Sequence, residues 1–185
     1  MRIALGALTM VFVGTLGLSA QQSIRVLATA KTSTMEKEMN QAAEAGYRFA
    51  GVMGGDTAFG GSEVVVVMTR GAQEARRQYT VLATGKTSTM AKELQAAGDA
   101  GFEYRGQTVF KSTFGGKEVA VILERDPSRP SERYLYQVRA TNRTSTMEKE
   151  LREATDAGYE FVGMTVGKTA IGGDEVVCIL RRKSS

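Results

Sequence analysis

The sequence predicts an α+β fold made of three tandem β-α-β-β repeats, with a mainly antiparallel sheet and helices packed on one face. Two observations support this prediction. The run TSTMEKE occurs twice and returns once more as TSTMAKE, and the blocks 23–70, 78–125 and 135–182 align without a gap. Within each block the apolar residues recur first every two positions, then with helical spacing, then every two positions again, which indicates a strand, a helix and two strands.

Alternation and helical spacing define the first strand and the helix of each repeat. In the first repeat Val26 and Ala28 alternate with exposed partners, as expected of a half-buried strand. The next apolar residues fall at helical spacing and so share one helix face. They are Met35, Met39, Ala42 and Ala43. A glycine is expected to end each helix, at Gly46, Gly101 and Gly158.

The second strand starts directly after that glycine and begins with alternating aromatics, Tyr47 and Phe49 in the first repeat. We expect Gly51 to continue the same inward face and to let a helix approach closely. A glycine-rich turn leads to the third strand, EVVVVM, EVAVIL or EVVCIL, which is apolar on both faces. Such a strand is typically central and covered twice. We expect its own helix to cover one face and a neighbouring unit or a second chain to cover the other.

The linkers between repeats are short and polar, at 71–77 and 126–134. With such linkers the three units could close into a pseudo-threefold arrangement or lie in a row. One small unit buries too little apolar surface to be stable alone. We therefore expect a compact arrangement of the three units.

Residues 1–20 have the layout of a secretory signal peptide: Arg2, an apolar run, and small residues before Gln21. The alternative is an uncleaved membrane anchor, because the run is nearly long enough to span a bilayer. Cleavage is favoured, and it predicts a secreted or periplasmic protein with no membrane span in the mature chain. Loss of Arg2 would lower the formal charge from +4 to +3. No dense basic stripe indicates nucleic-acid binding.

Composition excludes several catalytic and metal sites. The chain has no His and one Cys, so Ser-His-Asp triads, Cys-His pairs, typical zinc sites and internal disulfides are excluded. The single Cys178 occupies the position of Val66 and Val121 and is predicted to be a small buried apolar residue. We expect no metal and no cofactor.

The TSTM run is interpreted first as a helix start. Ser33 is predicted to be the N-cap, and Glu36 three residues later completes a capping box. A basic residue precedes each run, so hydroxyls, a cation and a helix N-terminus together also suggest an anion site. Helix capping alone is favoured over that site. The candidate anion-binding residues are Lys31, Thr32, Ser33, Lys86, Thr87, Ser88, Arg143, Thr144 and Ser145.

The unit resembles a small bacterial family of uncharacterised strand-helix-strand-strand domains. The matching strings are AGYRFAGV, AGFEYRGQ and AGYEFVGM, followed by FGGSEVVVVMTR and its copies. The resemblance implies the β-α-β-β order and brings no activity and no functional residues. The element order is also similar to that of dodecin, whose ligand-stacking Trp has no counterpart here, so no flavin is expected.

These observations favour an exported, non-enzymatic binding or interaction module, with an anionic small ligand or a cell-envelope component as partner. The first alternative is a structural or self-assembling envelope protein, in which the doubly apolar third strand supports self-association. A hydrolase using Lys, Ser or carboxylates ranks last, because no repeat is enriched in pocket residues.

Overall fold

A computed structural model describes residues 23–57, 61–71, 76–111, 116–168 and 173–184. The predicted signal peptide, residues 1–20, lies outside the described residues. Each unit contains one strand, one helix and two further strands, so the predicted α+β fold of three tandem repeats is confirmed. Unit 1 contains β1 (Ser23–Thr29), α1 (Thr32–Glu44), β2 (Arg48–Thr57) and β3 (Gly61–Arg70). Unit 2 contains β4 (Gln78–Thr84), α2 (Thr87–Asp99), β5 (Glu103–Lys111) and β6 (Lys117–Arg125). Unit 3 contains β7 (Tyr134–Thr141), α3 (Thr144–Asp156), β8 (Glu160–Lys168) and β9 (Asp174–Lys183).

Each unit forms its own three-stranded antiparallel sheet with the third strand in the centre, in the orders β1-β3-β2, β4-β6-β5 and β7-β9-β8. The prediction of a central third strand is therefore confirmed. Paired residues in an antiparallel sheet point to the same side. We call the side of Val64, Val66 and Met68, which carries α1, the helix face, and the side of Val65 and Val67 the back face. The same names apply to the equivalent sides of units 2 and 3.

The helices end as the glycines predict. Gly46 has a φ of 83°, in the left-handed region that favours glycine, and Gly101 and Gly158 have φ values of 84° and 81°. The N–H of Tyr47 then donates to the carbonyl of Ala42 at 3.0 Å, which closes the last turn of α1. This turn sends the chain directly into β2.

The prediction that Gly51 continues the face of Phe49 is wrong. Phe49 pairs with Met68 on the helix face, whereas Gly51 pairs with Val67 on the back face, because a β-bulge between them shifts the register. The side chain that approaches this position also differs from the expected helix. At Gly106 a Cβ would lie 3.1 Å from the ring of Phe49, an aromatic residue of the preceding sheet.

The hydrophobic cores lie between units. The first contains α1, the helix face of unit 1 and the back face of unit 2, where Ala120 and Ile122 are fully buried. The second contains α2, the helix face of unit 2 and the back face of unit 3, where Val177 and Ile179 are fully buried. In units 2 and 3 the preceding unit therefore supplies the second cover of the third strand, which is apolar on both sides.

The units lie in a row. The larger contacts between units join α1 to β4, α2 to β7, β2 to β5 and β5 to β8. Among the described residues, no element of unit 1 makes comparable contact with an element of unit 3. Of the two arrangements that the linkers allowed, the structure therefore shows the row and not the pseudo-threefold.

Cys178 is 1% exposed on the central strand of unit 3, which confirms its role as a buried apolar residue. Burial raises the pKa of its thiol. In the described part of the chain, no helix is long and apolar enough to cross a membrane.

Candidate functional site

Each helix begins two residues earlier than the predicted capping box would require. The N-caps are Lys31, Lys86 and Arg143, with extended backbone dihedral angles and no side-chain capping bond. The predicted N-cap Ser33 is the second residue of α1, so the capping-box prediction is wrong. The local cause is the threonine that ends the first strand: Thr29 Oγ1 accepts a hydrogen bond from the N–H of Lys31 at 3.1 Å. Thr84 and Thr141 hold the other two turns in the same way.

Glu36 binds the next unit. Its Oε2 accepts hydrogen bonds from the Val81 N–H and the Thr80 hydroxyl, both at 2.9 Å. Thr80 and Val81 belong to β4, the edge strand of unit 2. A carboxylate from α1 therefore satisfies a backbone donor on the exposed edge of the next sheet.

An amide side chain one helical turn later binds the same edge. Asn40 Nδ2 donates to the Tyr79 carbonyl, and Asn40 Oδ1 accepts from the Tyr79 N–H, both at 2.9 Å. Gln95 on α2 binds the next edge strand through two residues: its Oε1 accepts from the Tyr136 N–H at 3.0 Å, and its Nε2 donates to the Tyr134 carbonyl at 3.4 Å. We call this pair of residues, Asn40 and Gln95, the amide clamp. Its hydrogen bonds satisfy backbone groups on β4 and β7, two edge strands that lie inside the row.

The candidate anion residues are not assembled into one site. No hydrogen bond or ion pair in the described ranges joins the start of one helix to the start of another. In unit 2 the hydroxyl of Thr87 donates to Glu175 Oε1 of unit 3 at 2.6 Å, so a carboxylate of the protein already lies at the start of α2. The remaining cations and hydroxyls differ little from ordinary surface residues: Lys31, Ser33, Lys86, Ser88, Arg143, Thr144 and Ser145 are exposed, and Thr32 is half-buried.

A charged cleft of about 380 Å³ lies at one end of the strands and is lined by residues of all three units. Across the first interface Arg48 of unit 1 pairs with Glu124 of unit 2 at 3.2 Å. Across the second, Glu103 of unit 2 pairs with Arg181 of unit 3 at 2.5 Å. Position 103 is equivalent to 48, and 181 to 124, so the two pairs have opposite polarity.

The charges of this cleft are paired with one another. Hydrogen bonds from Ser128 and the nearby Arg77 guanidinium lower the pKa of Asp126. A hydrogen bond from Lys183 lowers the pKa of Glu132. The Nε atom of Arg77 also lies 3.4 Å from Oε1 of Glu124. The cleft is therefore an ion-pair network that joins units, and its six cations and five carboxylates leave little excess charge for a ligand.

A buried tyrosine completes each interface. The Tyr79 hydroxyl accepts from the Phe49 N–H at 2.9 Å and donates to Glu124 at 2.7 Å. The Tyr136 hydroxyl accepts from the Tyr104 N–H at 2.6 Å and donates to the Phe102 carbonyl at 3.0 Å. Burial is the main cause that raises the pKa of both hydroxyls.

The back face of unit 1 is uncovered. Ile24, Val26 and Met53 are 64%, 60% and 59% exposed, and they form with Val65 and Val67 what we call the open back face. The equivalent faces of units 2 and 3 are buried against α1 and α2.

The helix face of unit 3 is also incompletely covered. Its exposed apolar residues, which we call the open helix face, are Phe161, Met164, Val166 and Val176. The two open faces are at opposite ends of the row.

The edge contacts, the charged cleft and the open faces were not predicted from the sequence. One signal was present: position 79 is Tyr and its equivalent 136 is Tyr, whereas the equivalent in unit 1 is Ile24. A difference between copies at one strand position indicates a different environment for unit 1. The partner residues are far apart in the sequence, so periodicity within one unit does not reveal them.

In the described ranges, no group of three or more metal-ligating acidic, Cys or His side chains comes together. Comparisons with family models, with curated proteins and with solved structures give no match to this chain. The resemblance to the strand-helix-strand-strand family therefore stays a prediction. Function has to be argued from the geometry of the chain itself.

Proposed function

We propose that this chain is an exported, non-enzymatic interaction protein that binds protein surfaces through its two open faces. The observation that carries the proposal is the exposure of Ile24, Val26 and Met53 on a face that is buried in both other units. A contiguous apolar face of this kind is a typical protein-interaction site. The internally paired cleft and the separated helix starts offer less to a small ligand.

Site-specific photo-crosslinking tests this proposal in the cells that export the protein. A benzophenone side chain replaces Val26 on the open back face, and in a matched control it replaces Gln41, an exposed residue of α1. We expect a discrete adduct from position 26 and none from position 41. Equal labelling at both positions, or no adduct from position 26, would remove the support for the open back face as a binding surface.

A second candidate function is anion binding at the helix starts. It is favoured by one observation: none of the three helices has a side-chain cap, and a cationic residue precedes each first turn. Thermal melts against phosphate, sulfate and polyanionic glycans at matched ionic strength test it. A saturable rise in the midpoint, lost when Lys31, Lys86 and Arg143 become Ala, supports the anion site. A flat response excludes it and leaves the protein-binding proposal standing.

A further inference from the structure

The same two surfaces pack against each other twice inside this chain. A helix face with its helix packs on the back face of the next unit, first between units 1 and 2 and then between units 2 and 3. The row ends with one copy of each surface uncovered: the open back face of unit 1 and the open helix face of unit 3. The molecule thus carries both halves of an interface that it has already formed twice.

Shape complementarity is visible at one glycine. A Cβ at Gly106 would meet Phe49 and Val52 of unit 1, and a Cβ at Gly163 would meet Tyr104 and Gln107 of unit 2. The equivalent Gly51 in unit 1 has nothing within 4 Å. The residues equivalent to Phe49 and Val52 in unit 3 are Phe161 and Met164, which are 51% and 63% exposed. The space beside Gly51 in unit 1 is therefore empty. Phe161 and Met164 in unit 3 are equivalent to the side chains that fill this space at the internal interfaces.

Residue sizes differ between the internal contacts and the two ends of the row at a second position. A Cβ at Gly98 of α2 would collide with the Tyr134 carbonyl and approach the ring of Tyr136. In unit 3 the residue at the position of Gly98 is Thr155, and in unit 1 the residue at the position of Tyr136 is Ile24. The ring of Tyr136 has a smaller counterpart in Ile24, but the nearest atom is the backbone carbonyl of Tyr134, so Thr155 requires α3 to lie slightly farther from β1 than α2 lies from β7.

Charges are complementary as well. Glu148 of α3 is equivalent to Glu36, which accepts from the N–H of Val81 and the hydroxyl of Thr80. The residues equivalent to Thr80 and Val81 in unit 1 are Arg25 and Val26. In the same register Glu148 of one chain would meet the Arg25 side chain and the Val26 N–H of a second.

The start of α3 is complementary to a carboxylate of unit 1, Glu63. Glu175 of unit 3 accepts from Thr87 at the start of α2, and its equivalent in unit 1 is Glu63. The residue equivalent to Thr87 in unit 3 is Thr144, directly after Arg143. Glu63 would therefore reach a helix N-terminus beside a cation.

We propose that a second copy of this chain docks head to tail, placing its open helix face on the open back face of the first, so that chains extend the row. This proposal rests on the proposed function and names the partner of the same open faces. An interface between two different patches is heterologous, and its repetition gives open rows or closed rings.

Two differences make this contact weaker than the internal ones. The amide clamp position of α3 is Arg152, and a guanidinium donates hydrogen bonds but cannot accept one from the N–H of Ile24. The tyrosine hydroxyl that bridges each internal interface is also missing, since Ile24 replaces it. We therefore expect association that depends on protein concentration.

Complementary variants test the geometry by sedimentation velocity of the protein recovered from the exported fraction. Val26→Glu blocks the open back face and Met164→Glu blocks the open helix face; both side chains are largely exposed, so both variants should fold. Wild-type protein should give species larger than a dimer as concentration rises. Each variant alone should associate about tenfold or more weakly. Their equimolar mixture should form dimers and stop there, because one intact pair of faces remains.

Two outcomes overturn the head-to-tail contact. Wild-type protein that stays monomeric at every concentration excludes self-docking, and a crosslink from position 26 to a different protein would then leave the proposed function intact. Dimers that survive Met164→Glu but not Val26→Glu would show a two-fold contact between open back faces. Gln41→Glu is the control variant, and it should associate like the wild type.

Discussion

The two interfaces inside the row share the same kinds of backbone contact, but their ion pairs have opposite polarity. Both place a helix beside the edge strand of the next unit, both use an amide clamp, and both bury a tyrosine hydroxyl on a backbone N–H of the preceding unit. The ion pair, however, runs from Arg48 to Glu124 at the first interface and from Glu103 to Arg181 at the second.

Because the two ion pairs have opposite polarity, each unit is complementary in charge only to the unit that it contacts in the row. If unit 1 packed on unit 3, Arg48 would meet Arg181, a like-charge contact that is costly when partly buried. Three units of the same architecture could pack in several orders. The difference in charge therefore disfavours direct packing of unit 1 on unit 3, while the contacts that both interfaces share stabilise the observed order.

Charge reversal at an interface ion pair should lower stability more than the other changes proposed below. Glu124→Arg places a third guanidinium beside Arg48 and Arg77 in a site where the carboxylate is 6% exposed. We expect the free energy of unfolding to fall by about 3–5 kcal/mol, measured by urea denaturation. Arg181→Glu should cost less, because its partners Glu103 and Glu160 are more exposed.

A double-mutant cycle is the control for this prediction. Arg48→Glu combined with Glu124→Arg gives the first interface the polarity of the second, and part of the lost stability should return. Recovery will be partial because Arg77 still faces the new arginine. Strictly additive losses would show that the pair does not couple the units.

The next largest difference between the two interfaces should be the loss of stability at alkaline pH. Burial raises the pKa of the Tyr104 hydroxyl to about 12, and the equivalent residue at the first interface is Phe49, which does not titrate. An unfolded tyrosine loses its proton near pH 10, so unfolding releases a proton between about pH 10 and 12 and stability falls as pH rises through that range. Tyr104→Phe should therefore weaken the fall in melting temperature over this range.

At pH 7 the Tyr104→Phe protein should melt close to the wild type, since only a hydroxyl is removed and the N–H bond to Tyr136 remains. Circular dichroism melts at pH 7, 10 and 11.5 give the comparison. An unchanged alkaline slope would show that Tyr104 ionises in the folded protein as readily as in the unfolded one.

The amide clamp should show the smallest difference. Asn40 makes two bonds of 2.9 Å to Tyr79, whereas Gln95 makes one of 3.0 Å and one of 3.4 Å. Asn40→Ala should lower the free energy of unfolding by about 1–2 kcal/mol, and Gln95→Ala by about 0.5–1 kcal/mol. Gln41→Ala, an exposed neighbour, should be neutral or slightly stabilising in the same urea experiment. The reverse ranking would mean that bond geometry does not decide the strength of the clamp.

Much of the unit could be predicted from the sequence. The three β-α-β-β copies, the central third strand, the buried Cys178 and the glycines that end the helices all follow from periodicity and residue chemistry within about 48 residues, the length of each aligned block. The helix starts were placed wrongly because a threonine two residues before the N-cap, Thr29, organises the turn. The face of Gly51 was placed wrongly because a bulge breaks the alternation.

By itself the sequence determined what each unit is, because repeated local patterns dictate strands, helices and their apolar sides. The tertiary structure alone decided how the units use one another: Glu36 and Asn40 bind an edge strand some 40 residues later, and Arg48 meets Glu124. These contacts join residues that no local period connects. They also reveal that the row ends on an uncovered back face in unit 1 and an uncovered helix face in unit 3, which depends on what packs where and not on the pattern of any one unit.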